Sequence, residues 1–125
     1  MKKGEDSNRF PQLLDFLCAK YKVDRKTVFV EYSYRPPPPL KGERLGYYEG
    51  LLSVREKNGH TEFLITVFKA SRQPLLTLAH EFAHLVRDLK SGNLHKRLAP
   101  PDDEVERLLD EQARKDLAEF QKIHR

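Results

Sequence analysis

The chain has 125 residues, room for one compact domain but not two, so a single domain over residues 1–125 is expected. No apolar run approaches the roughly 18–20 residues that cross a bilayer. The charged start Met1-Lys2-Lys3-Gly4-Glu5-Asp6 lacks a secretory pattern, and the single cysteine excludes an intrachain disulfide, so a cytoplasmic setting without membrane contact is expected.

Hydrophobic residues are 38% of the chain and charged residues 34%, with 7 Phe and 5 Tyr to build a core. The net charge of +4 is spread over Lys20–Lys26, Lys41–Arg44, Arg87–Arg97 and Arg114–Arg125. That spread reads as a solvated surface. No aromatic-basic motif accompanies it, and direct nucleic-acid binding is not expected.

Residues 1–8 are polar and read as a frayed end. Phe10–Tyr21 places apolar residues at 13, 14, 17 and 21, which predicts a first helix with Pro11 in its first turn. Cys18 falls in this apolar stretch and reads as a core residue rather than a nucleophile. Thr27–Tyr32 predicts a short strand. Pro36-Pro37-Pro38-Pro39 lacks backbone donors and reads as a stiff connector rather than a ligand for another domain. Tyr47–Glu56 and Thr61–Lys69 are rich in β-formers, and Asn58-Gly59 between them predicts a type I′ hairpin.

Pro74 opens the best-defined helix, with Leu75, Leu78, Phe82, Val86 and Leu89 as its apolar stripe and Ser91-Gly92-Asn93 as its stop. A last helix is predicted from about Asp102 to Ile123, with Val105, Leu109, Ala113, Leu117 and Phe120 facing inward.

The middle of the 74–91 helix reads His80-Glu81-Phe82-Ala83-His84. Residues four apart lie one turn apart on the same side, so two imidazoles can serve one ion. They fall nearly opposite the apolar stripe, facing a cleft. Neutral imidazole suits zinc. Glu81, adjacent and not needed as a ligand, is placed to act as general base. Shuffled chains of this composition would contain the pattern only roughly 0.02 times each.

A catalytic zinc needs a third protein ligand. The continuation HExxHxxGxxH is absent, since 87 is Arg and 90 is Lys. His95, Glu104, Glu106 and Glu111 are the candidates. Glu106 lies on the flank of the last helix's apolar face and is favoured, with Asp110 one turn on as a group that could orient a histidine. Glu104 and Glu111 fall on the outer side. The competing reading makes Glu106 part of a capping box with Asp103. His95 and His60 also read as plain solvated histidines, and Asp88, one turn after His84, reads as an exposed helix carboxylate in preference to a group supporting the ligands from behind.

Thr77–Val86, preceded by a strand and Arg72-Gln73-Pro74, resembles the ImmA/IrrE-type zinc metallopeptidases. Their next helix has the form ExxA(N/D)xFA. The segment Glu106–Ala113 is similar at Glu106, Asp110 and Ala113 and departs at Leu109 and Gln112. The Glu-xxx-Asp spacing is also similar to the third-ligand helix of the thermolysin-like group. This resemblance spans roughly residues 45–120. It implies a zincin-like α+β fold, a small antiparallel-containing sheet packed on the HExxH helix, with N- and C-terminal helices. It also implies an intracellular metallopeptidase with Zn2+ held by His80, His84 and Glu106 and with Glu81 as catalytic base. A protein or peptide would be the substrate, and a regulatory or DNA-binding protein is a candidate partner.

Gly92-Asn93-Leu94-His95 is loosely similar to the later histidine loop of the SprT-like proteases. That resemblance implies His95 as third ligand and DNA-associated proteins as substrates. A third class is a non-enzymatic zinc-binding regulatory module.

Overall fold

The computed structural model describes residues 8–35, 49–91 and 103–124. In chain order they form α1 (Phe10–Tyr21), a 3-10 turn (Arg25–Thr27), β1 (Val28–Ser33), β2 (Gly50–Lys57), β3 (His60–Phe68), α2 (Pro74–Ser91) and α3 (Asp103–Ile123). Together they make a small α+β fold of three helices and a three-stranded mixed sheet in the order β1-β3-β2. No described helix is long and apolar enough to cross a membrane. Pro36–Pro39, Gly92, Asn93 and His95 lie outside the described residues.

Helix α1 begins with a proline in its first turn and buries Phe10, Leu13, Leu14, Leu17 and Cys18, the face the spacing predicts. It ends where Lys22 turns left-handed (φ 57°) and the Val23 N–H donates back to the Cys18 carbonyl at 2.9 Å. Burial pushes the Cys18 thiol up to about 11, so it packs as a small protonated hydrophobe. Asp24 closes the 3-10 turn, its carboxylate accepting from the Lys26 N–H (3.1 Å) and its carbonyl from the Thr27 hydroxyl (2.7 Å). Thr27 is thereby held in the turn, and the strand starts one residue later than the sequence predicts.

The hairpin forms at Asn58 (φ 53°) and Gly59 (φ 79°), the two positive angles a type I′ turn requires. β3 is central, antiparallel to β2 and parallel to β1, with Ile65 opposite both Leu52 and Val30. Directly opposed residues share a face. Val28, Phe63, Ile65 and Val67 are buried in the core that the sheet shares with the helices.

Helix α2 is the hub, touching β2, β3, α1 and α3. Its core set is wider than the predicted stripe. Leu75, Leu78 and Phe82 are buried as expected, but so are Leu76, Ala79, Ala83 and Leu85. Leu89 is a correction: it is 40% exposed, two residues before the helix ends at Ser91. Asp88 is another, 4% exposed instead of solvated. It continues the His80–His84 row, the side α3 approaches. In α3, Ala113 and Phe120 are buried, and so is a residue the periodicity did not mark, Asp116 (2% exposed).

Asp116 accepts hydrogen bonds from Lys20 Nζ (2.8 Å), Tyr21 Oη (2.6 Å) and Gln112 Nε2 (3.0 Å). Two of those donors belong to α1, so the carboxylate clasps the first helix to the last. Burial and the bond to Asp116 push Tyr21 up to about 12, and the same carboxylate raises Lys20.

Candidate metal centre

The α-helical repeat puts His80 and His84 on one side of α2, with ring centroids 5.0 Å apart. Opposite them α3 presents Glu106. One carboxylate oxygen lies 2.9 Å from His80 Nε2 and the other 3.0 Å from His84 Nε2. His84 is buried and His80 and Glu106 are half-buried. Asp110 Oδ1 stands 3.7 Å from His80 Nδ1, too long for a hydrogen bond, while its other oxygen accepts from Arg114 Nε at 2.8 Å. Because Glu106 meets both histidines and Asp110 only His80, α3 runs antiparallel to α2 here.

The sequence left two readings of Glu106 open, cap or ligand. Its carboxylate points at the imidazoles. Glu104 and Glu111 pair on the surface with Arg107. His60 is exposed at the hairpin.

Electrostatics follow from these contacts. The hydrogen bond to Glu106 raises His80 above its ordinary 6.5, aided by the nearby charges of Glu81, Glu106 and Asp110, and burial opposes the shift. The bonds from His80 and His84 hold Glu106 well below the usual carboxylate range. Without an ion this contact therefore favours a protonated His80 imidazole beside the Glu106 anion.

One ligand atom from each of His80, His84 and Glu106 lies within 4.8 Å of the others, close enough to hold a metal ion. Donors at about 2.0–2.1 Å around a tetrahedral ion stand roughly 3.3 Å apart. The two imidazole–carboxylate separations fall only a few tenths of an ångström short of that, so the residues present fit. Two neutral imidazoles and one carboxylate leave a small divalent cation with an open coordination position. His84 Nδ1 is buried and has no hydrogen-bond partner among the described residues.

No family model, curated protein or solved structure matches this chain.

Glu81 is half-buried on α2 beside the histidines. The first residue of β2, Gly50, packs directly on it. A Cβ built on Gly50 would stand 3.2 Å from Glu81 Cγ and 2.6 Å from Thr77 Cγ2. Sequence reading missed this approach. An isolated glycine at a strand start was its signal, since such glycines mark places where other backbone or side chains come close.

Proposed function

We propose that this chain is a zinc-dependent metallopeptidase of zincin-like build. The observation that carries the reading is the Glu106 carboxylate spanning both imidazoles of an HExxH helix, 2.9 and 3.0 Å away, with Glu81 beside them. His80, His84 and Glu106 would hold the ion. Zinc, when bound, supplies a Lewis acid for the scissile carbonyl and lowers the pKa of water toward neutrality. Glu81 then has the role a carboxylate can fill beside such a centre. It accepts the proton of the attacking water and returns it to the leaving amine.

The strand arrangement supports a peptide substrate. The Phe68 N–H donates to the Glu49 carbonyl at 3.0 Å, which fixes the alternation along the β2–β3 pair. Gly50, Leu52, Val54 and Glu56 therefore turn their backbone groups to the outer edge of β2, where no described strand pairs. The edge begins at Gly50, against Glu81. An extended peptide adding there by strand pairing would run past the site.

The test is metal content and turnover of a disordered protein, with and without chelator, for the wild type and for Glu81→Gln. The wild type is expected to carry close to one zinc per chain and to lose hydrolysis on chelation. Glu81→Gln should keep the zinc and lose the hydrolysis. Zinc without turnover in the wild type would instead assign a non-enzymatic regulatory module, and absence of zinc would remove the metal reading.

A further inference from the structure

We infer that Gly50 is a positioning residue for the Glu81 carboxylate, its missing side chain being the slot in which the Glu81 stem is held. The inference rests on the metallopeptidase reading and names a residue that reading does not contain.

Gly50 is not required by backbone conformation, since among the described glycines only Gly59 has a positive φ. Space is what requires it. The position a Cβ would take is bounded by Thr77 Cγ2 at 2.6 Å, the Thr66 carbonyl oxygen at 3.0 Å and Glu81 Cγ at 3.2 Å. The Thr66 oxygen belongs to the central strand and cannot retreat without breaking the sheet.

Thr77 is nearly as fixed. A β-branched side chain in a helix has restricted χ1 freedom. Its hydroxyl is also 2.8 Å from Ser71 Oγ, in a pair buried at both ends. Ser71 is itself held by its N–H donating to the Phe68 carbonyl at 2.9 Å. Of the three walls, the Glu81 stem is the unbranched, flexible one.

Thr77 and Glu81 are four apart, one turn along the same side of α2. Strand β2 enters between them and touches both. The result is a relay from Ser71 through Thr77 and Gly50 to Glu81, while His80, His84 and Glu106 lie outside it. A methyl group at position 50 should therefore shift the base and spare the metal ligands.

The experiment compares Gly50→Ala and the double variant Gly50→Ala/Thr77→Ser with the wild type, both zinc-loaded and zinc-free. Thr77→Ser removes the methyl at 2.6 Å and keeps the hydroxyl for Ser71. Zinc stoichiometry, kcat and KM are measured, with the side-chain 13C resonances of Glu81 and the imidazole resonances of His80 and His84. Gly50→Ala is expected to bind zinc at wild-type stoichiometry and keep the imidazole resonances, with the Glu81 resonances shifted. The Glu81 stem must give by a few tenths of an ångström, so the loss in kcat should fall below the ~10²-fold of a full ångström, at roughly tenfold. KM is read separately, because Gly50 also opens the β2 edge on which a peptide would pair, and the Glu81 resonances, read without substrate, separate the two effects. The double variant should recover most of the kcat and return the Glu81 resonances toward their wild-type positions.

Unchanged Glu81 resonances in Gly50→Ala overturn the inference, as does a double variant no better than the single. Should Gly50→Ala not fold, the double variant carries the same readouts, and its failure to fold also overturns the inference. A wild type without turnover would sink the enzymatic reading, while the Glu81 resonances still decide whether Gly50 places that side chain.

Discussion

Glu106→Gln separates the observed role of the Glu106 carboxylate, hydrogen bonding to two imidazoles, from its proposed role as a metal ligand. In the metal-free protein its two oxygens accept from His80 Nε2 and His84 Nε2 at 2.9 and 3.0 Å. An amide of the same shape has one acceptor oxygen and turns an NH2 toward the second imidazole. A hydrogen bond to a charged group contributes about 1.5–3 kcal/mol. The Glu106 side chain is 31% exposed, so water offsets part of that, and the metal-free variant should lose about 1–2 kcal/mol near pH 6. The effect on metal binding is larger. Changing a group that merely supports a ligand costs 10–100-fold in affinity. Removing a ligand should exceed that, so about 100-fold is a floor. At a metal concentration 100 times the wild-type Kd, binding stabilises the wild type by about 2.7 kcal/mol. A variant binding 100-fold more weakly sits at its own Kd and gains only about 0.4 kcal/mol. Competition against a fluorescent chelator gives the affinities, and urea unfolding with and without metal gives the stabilities. Wild-type affinity in Glu106→Gln would refute the assignment and return the third-ligand role to His95.

Two further outcomes follow from the same geometry. His80 is raised above 6.5 in the fold, so its contribution to metal-free stability is complete below pH 6.5 and is lost as pH rises through the raised value. Glu106 is lowered from 4.5, so its contribution is present above pH 4.5 and is lost as pH falls through the depressed value. The metal-free protein should therefore gain most from this cluster between about pH 4.5 and 6.5. Metal affinity should run the other way, falling about tenfold per pH unit below the His80 pKa if one proton is displaced, and a flat affinity profile from pH 8 to 5 would contradict this. Asp116→Asn should cost about 2 kcal/mol in a urea melt, because a buried carboxylate with three donors becomes a neutral amide. An unchanged urea midpoint would mean that the α1–α3 clasp contributes nothing.

What the sequence made legible is what short-range periodicity encodes. The limits of α1, the start of α2 at Pro74, the Asn58-Gly59 turn and the one-sided placement of His80 and His84 depend on neighbours a few residues away. Glu106 was legible because its place at the edge of an apolar stripe aims it inward. The rest depends on contacts between distant segments. Leu89 keeps the helical spacing of the stripe and is nevertheless 40% exposed. Asp116 interrupts the apolar pattern of α3 and is buried because Lys20 and Tyr21, nearly a hundred residues earlier, supply donors. The wide core of α2, with Ala79, Ala83 and Leu85 all buried, follows from its having partners on several sides, a number that one helix's sequence does not contain.

The two halves of the candidate metal cluster are held by different physics. His80, Glu81 and His84 share one helix, and their spacing is fixed as soon as that helix forms. Glu106 arrives on α3, whose placement relies on packing around Ala113 and Phe120 and on the Asp116 clasp to α1. Every contact that docks α3 thus also sets the distance from Glu106 to the imidazoles. By linkage, an ion bound by all three residues must hold α3 in place with the same free energy that α3 docking contributes to its binding. The clasp lies two to three turns along α3 from Glu106, on the α1 side, and Gln112 and Asp116 bridge the interval. Loosening it should therefore weaken ion binding without touching a ligand, while the imidazole pair, anchored by α2 alone, keeps its geometry.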